Sequence, residues 1–160
     1  MKSLYIISFG VLLFFSACYD KNSSKSIVSD SVYSTALQYT QKADLVINLE
    51  TKAIFIATYL NHIPQYNDEN HNFIVGVYIP DSFYHQKYNY TIYSDDELLK
   101  LTLLSDEDRN SFHIPLENQW AKYYKVHIAK KEQNSITLNL VIEELGDIAI
   151  EFNKKLLPKI

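Results

Sequence analysis

Residues 135–142 read SITLNLVI, and this stretch decides the fold class. Ile136, Leu138, Leu140 and Ile142 alternate with Thr137, Asn139 and Val141. Successive side chains of a strand point to opposite faces, so a period of two predicts a strand with one buried face. The same beat recurs along the chain. In ADLVINL (43–49), Leu45, Ile47 and Leu49 share one face and Asp44 and Asn48 the other. FIVGVYI (73–79) sets Phe73, Val75, Val77 and Ile79 on one side. WAKYYKVHIA (120–129) opposes Tyr124, Val126 and Ile128 to Lys125 and His127, and DIAIEF (147–152) turns Ile148, Ile150 and Phe152 inward against Ala149 and Glu151. AIFIATYL (53–60) and YNYTIY (88–93) add β-branched and aromatic runs that suit a pleated surface.

Turn signals separate these runs. They fall at Glu50-Thr51-Lys52, at the polar loop 61–72, at Pro80-Asp81-Ser82, at Ser94 to Glu97, at Asp106 to Asn110, at Lys130 to Asn134 and at Gly146-Asp147. LLKLTLL (98–104) reads as a strand or short helix, Ser111 to Leu116 as a short strand, and Thr35 to Gln41 as a short helix or edge strand. Short strands with evenly spaced turns predict an all-β protein, an antiparallel β-sandwich of immunoglobulin-like topology; a small closed β-barrel alternates in the same way and is the alternative. Strands of a parallel sheet covered on both faces would instead read as continuous apolar runs. Trp120, just before a strand, is expected as a core tryptophan, although no cysteine pair exists for it to pack on.

The first twenty residues have a different character. Lys2 is the only charge ahead of an apolar run from Leu4 to Ala17. That run is shorter than the roughly 20 residues that span a hydrocarbon core, and a basic start, a short apolar core and small residues before a junction describe a secretory signal peptide. Phe15-Ser16-Ala17-Cys18 resembles the lipobox of bacterial lipoproteins, with Phe15 where leucine is usual. The resemblance implies a diacylglycerol thioether on Cys18, cleavage before it, and acylation of the new amine. At about 0.8 kcal/mol per buried methylene, two or more acyl chains hold stably. An aspartate directly after the cysteine retains lipoproteins in the inner membrane of some bacteria; Tyr19 stands there instead, which favours the outer membrane, on its periplasmic or surface face.

These readings divide the chain into a lipoprotein signal peptide (1–17), a lipidated Cys18 with a flexible tether (18–34) and one β domain (35–160). The stretch 19–34, YDKNSSKSIVSDSVYS, is serine-rich, and as a flexible chain it spans about 20–25 Å. Removing residues 1–17 from the 160 leaves 143, enough for one core. No cysteine follows Cys18, so no intramolecular disulfide can support that core. The net charge of −4 argues against a nucleic-acid partner and against electrostatic docking on anionic lipid. Lipobox, serine-rich tether and a compact cysteine-free β domain together resemble the small immunoglobulin-like surface lipoproteins of Campylobacter and its relatives. That resemblance implies envelope localisation and adhesion.

Chemistry-bearing residues are sparse. His62, Asp68, Glu69 and His71 share the loop 61–72, but their spacing fits no standard zinc motif, and Asp95-Asp96-Glu97 and Asp106-Glu107-Asp108 lack the alternation and glycine of a calcium loop. No metal or cofactor is expected. G-x-S-x-G, H-E-x-x-H and phosphate-cradling glycine loops are absent, and His62, His71, His85, His113 and His127 are scattered, so no enzyme is expected. The stretch FYHQKYNYTIY (83–93) is the candidate binding surface. Its Tyr84, Tyr88, Tyr90 and Tyr93 offer large contact area at low entropic cost, suited to sugar rings or a protein partner in the envelope or on a host surface. The expected function is a lipid-anchored envelope protein with a non-catalytic β-sandwich for binding, adhesion or assembly of an envelope complex. A periplasmic small-ligand-binding or transport-accessory lipoprotein is the alternative.

Overall fold

The computed structural model describes residues 23–80, 87–112, 114–131 and 134–153. The chain separates into two compact units, Met1–Ser31 and Val32–Ile160. The expected signal peptide, Cys18 and the start of the tether lie outside the described residues.

The second unit is an antiparallel sandwich. One sheet has the order β1 (Thr40–Ile47), β2 (Glu50–Tyr59), β3 (Asn70–Tyr78), β7 (Lys122–Ala129), β6 (Thr102–Leu103). The other runs β5 (Glu97–Leu98), β4 (Tyr90–Ser94), β8 (Ser135–Ile142), β9 (Gly146–Asn153). With β1 set aside, β2-β3-β7-β6 over β5-β4-β8-β9 is the immunoglobulin order, A-B-E-D over C′-C-F-G. Neither sheet closes into a barrel. β1 is an addition: it pairs with β2 and reaches the far sheet, where Gln41 Nε2 donates to the Glu151 carbonyl at 2.8 Å.

The period-two residues meet between the sheets. Phe55, Phe73, Val75 and Val126 come from one side, and Ile92, Leu138, Leu140, Ile142, Ile150 and Phe152 from the other. Phe73 and Phe152 touch ring to ring across the gap at 5.2 Å. Each such side chain contributes about 1.5–3 kcal/mol when fully buried.

Four local expectations change. The first hairpin turns at Asn48-Leu49, not at Glu50-Thr51-Lys52. Both residues have positive φ (53° and 66°), the geometry of a two-residue hairpin turn, and Leu49 leaves the inner face and is 98% exposed. From Ser23 onward the expected tether is helical, as α1 (Ser23–Gln38). No glycine or proline interrupts that span, and Val32 and Ala36, one turn apart, pack together on the outer face of the first sheet. The expected turn at 106–110 and strand at 111–116 give way to α2 (Asp106–Phe112). Its start is a capping box: Ser105 Oγ accepts from the Asp108 amide at 3.1 Å, and the Ser105 amide donates back to Asp108 Oδ2.

The fourth change is in β3, whose interior is buried on both faces. Its outer residue Ile74 joins Ala36, Leu60, Ile63, Leu104, Ile114, Ala121 and Tyr123 in a second apolar cluster. Gly76 makes this cover possible, because a Cβ there would lie 2.5 Å from Tyr123 Cε1. The Tyr123 ring stacks beneath the Arg109 guanidinium at 5.2 Å, and its hydroxyl accepts from the Asn118 amide at 2.7 Å.

Candidate binding cleft

Register places the site. Val77 pairs with Lys122, Leu103 with Tyr124 and Tyr90 with Ile142, so the end of β3 and the starts of β4 and β7 meet at one mouth of the sandwich. An open cleft of about 550 Å³ occupies that mouth. Val77, Ile79 and Leu101 line its apolar side, while Tyr88, Tyr90, Tyr124 and Trp120 supply rings and Lys87, Asn89 and Lys122 supply polar heads.

Tyr90 and Tyr124 form the link between the sheets. Both follow the inward register, Tyr90 with Ile92 and Tyr124 with Val126. Their rings meet edge to face at 6.3 Å and their hydroxyls hydrogen-bond at 2.5 Å. Burial raises the Tyr90 phenol well above its ordinary value, and the bond to Tyr124 adds to the rise. Lys122 continues the inward register two places before Tyr124, at the rim. Asn89 is held by the β8–β9 turn: its Nδ2 donates to Glu143 Oε2 at 2.9 Å, and its carbonyl accepts from the Glu143 amide at 3.0 Å. Trp120 is not a core residue. It is 70% exposed on the connection before β7, its indole tilted against Tyr78 at 6.4 Å.

Of the four tyrosines expected to form a surface, Tyr88 and Tyr90 line the cleft together. Tyr93 belongs to the opposite face of its strand, out of register with Tyr90 and Ile92. Tyr84, like His85 and His113, lies outside the described residues. Tyr124 and Trp120 were not expected there; the doubled Tyr123-Tyr124, one ring for each face of β7, was the available signal.

The opposite end holds the loop expected to gather metal-binding types. Among the described residues no three His, Cys, Asp or Glu side chains converge as a metal site. Asp68 accepts from the Asn70 amide at 2.7 Å and from Asn72 Nδ2 at 2.9 Å, and these two bonds hold its carboxyl below the usual range. His71 Nδ1 bonds the Tyr59 hydroxyl at 2.9 Å, and burial pushes that phenol up to about 12. His127 Nδ1 pairs with Asn72 Oδ1. His62 stacks on Tyr39 at 3.7 Å, and burial lowers its imidazole below the ordinary value. Three histidines scattered in sequence thus share one end, each with its own ring or amide partner.

Asp95 and Asp96 make a tight turn with φ of 48° and 65°, and Asp106, Glu107 and Asp108 occupy the first turn of α2. No helix among the described residues is long and apolar enough to cross a membrane. No family model matches the chain, and no curated protein or solved structure matches it.

Proposed function

We propose that this chain is a lipid-anchored cell-envelope protein, held by an acylated Cys18, whose sandwich is a non-catalytic binding domain used in adhesion or envelope assembly. The observation that carries the binding half is the cleft: three tyrosines, an exposed tryptophan and two lysines gather at the open mouth of a sandwich whose interior is filled by side chains. Aromatic side chains at a concave, partly polar site are the usual equipment of recognition. A filled interior favours contact at the mouth over a small molecule enclosed between the sheets. The anchoring half rests on Phe15-Ser16-Ala17-Cys18.

Both halves have a direct test. A Cys18→Ala chain is expected to lose labelled palmitate and to leave the membrane fraction; unchanged retention overturns the anchor. For binding, vesicles carrying the full lipidated chain are sedimented with isolated envelopes or with cultured cells. A Trp120→Ala, Tyr88→Ala double variant is expected to lower their retention about tenfold, as loss of an aromatic anchor does. Retention equal to the unmodified chain overturns the cleft as the contact site.

A further inference from the structure

We propose that the cleft takes an acidic saccharide, a sugar bearing a carboxylate or sulfate group. The inference rests on the cleft being the binding site and names what it binds. Charge is the first ground. Lys87 and Lys122 both line the cleft, and among the described residues none that lines it is acidic and neither lysine has an ion-pair partner. Elsewhere on this net-negative chain Lys42, Lys52 and Lys131 are each paired with a carboxylate, Asp44, Glu50 and Glu97 in turn, while Lys100, Lys125 and Lys130 form no ion pair among the described residues, so it is the gathering of Lys87 and Lys122 at one cleft that counts. Among the described residues, the one carboxylate hydrogen-bonded to a lining side chain, that of Glu143, accepts from the Asn89 amide. Two ammonium groups lining a half-apolar cleft attract an anion more strongly than two in open water, because the low-dielectric surroundings focus their field.

The rings argue for a sugar as the bearer of that anion. Trp120 offers an indole that is 70% exposed at the rim of a polar cleft, and the C–H face of a pyranose stacks on such a surface while its hydroxyls stay outward. The Tyr90–Tyr124 pair supplies the hydroxyl partners. When one phenol donates to the other, the acceptor keeps its own hydrogen, so the pair presents one donor and several lone pairs to the cleft. The cleft volume of about 550 Å³ lies within the few hundred to roughly 1,000 Å³ of small-ligand sites.

Trp120 is the only tryptophan of the chain, so its fluorescence reports on the rim directly. The detergent-solubilised full chain is titrated with sialyllactose, with an oligogalacturonate and with a sulfated heparin tetrasaccharide, and with lactose as the neutral control. The expected result is a saturable change in Trp120 emission with at least one acidic sugar, absent with lactose and weakened by added salt. A Lys87→Gln, Lys122→Gln double variant, with an unchanged thermal midpoint, weakens that binding about tenfold or more. No saturation with any acidic sugar, equal binding of lactose, or undiminished binding by the double variant overturns the proposal. Vesicle retention tells this failure from that of the underlying reading. If retention still falls in the Trp120→Ala, Tyr88→Ala variant, the cleft binds something other than an acidic sugar; if it does not fall, the cleft is not the contact site.

Discussion

Where β3 begins, Asn72 engages four partners through its side chain and amide: its Nδ2 donates to the Tyr66 carbonyl and to Asp68, its Oδ1 meets His127, and its backbone amide donates to Asn61 Oδ1 at 2.7 Å, while its carbonyl accepts from the Leu60 amide at 2.8 Å. Where β3 finishes, Lys87, Lys122 and Trp120 line an open cleft, and among the described residues its lining side chains make few bonds, Tyr90 to Tyr124 and Asn89 to Glu143. Both ends are rich in polar and aromatic groups, and composition does not tell them apart. What separates them is how many of these groups find a partner in another side chain and how many are left to find one outside. The histidine-rich loop that looked like chemistry in the sequence is a largely closed structural network, in which His62 Nε2 is buried without a hydrogen-bond partner among the described residues, and the end with no recognisable motif is the open one.

The largest expected effect breaks the closed end. Asn72 is 2% exposed, and Asn72→Leu would leave the Tyr66 carbonyl and the Asn72-facing nitrogen of His127 without their partner. Asn72 itself is buried, but Tyr66 is half-buried and His127 exposed, so the lost bonds cost about 2–3 kcal/mol in sum. Equilibrium denaturation should show the loss as a lower midpoint with an unchanged slope. A cost under about 1 kcal/mol would mean that the network is solvated and that the two ends do not differ as described.

Midway along the same strand, Gly76→Ala tests what holds the ends in line. The added methyl meets Tyr123 Cε1 at 2.5 Å, and the ring cannot move freely because Arg109 lies over it and Asn118 holds its hydroxyl. Overpacking of this kind costs about 2 kcal/mol. Combining the change with Tyr123→Leu should recover part of the loss, and thermal midpoints of the single and double variants would read the coupling.

At the open end the expected effect on stability is smaller. Tyr90→Phe removes one hydrogen bond and leaves the Tyr124 hydroxyl facing the cleft, where water can replace the partner. The cost is about 1 kcal/mol or less. Denaturation of Tyr90→Phe beside Asn72→Leu puts the comparison on one scale, and equal losses would abolish it.

How much of this was legible in the sequence depends on the range of the interaction. The inner faces of β8 and β9 follow from period two alone: Ile136, Leu138, Leu140, Ile142, Ile148, Ile150 and Phe152 are all buried. The outer face of β3 was not legible, because it is Ala36, Leu60 and Ile114, distant in sequence, that cover Ile74. α1 was hidden for a related reason. Serine and valine are weak helix formers, and its Val32–Ala36 stripe gains from packing that propensity does not report. α2 carried its signal openly in Ser105 and Asp108, at capping-box spacing, and was overlooked because a run of acids also reads as a turn. Half of the cleft was visible as the Tyr88–Tyr90 stretch. Its other half, Trp120 to Tyr124, arrives through the pairing of β3 with β7 and the packing of two sheets, and neither is written in local pattern.

The smallest expected effects are in acid; apart from Glu50, whose exposed carboxyl Lys52 holds below its ordinary value, the groups concerned belong to the closed end. Burial beside Tyr39 and Tyr59 lowers the His62 imidazole below its ordinary 6.5. The unfolded chain therefore takes up a proton more readily than the folded one. The His62 contribution is present above pH 6.5 and is lost as pH falls from there through the lowered folded value. Asp68 acts in the same direction further down. Its carboxyl is held below 3.8 by the Asn70 amide and Asn72, so its share is present above 3.8 and disappears as pH falls through the depressed value. Denaturation midpoints measured down the acid range should fall in two stages, the first beginning near 6.5 and the second near 3.8. His62→Phe keeps a ring on Tyr39 and should flatten the first stage alone; Asp68→Asn should shrink the second alone, leaving the share of Glu50. Tyr88→Phe and Trp120→Phe at the cleft should alter neither. An acid profile that moved with the cleft variants instead would put the titrating groups at the wrong end of the sandwich, and would reverse the assignment of which end is structural and which is free to bind.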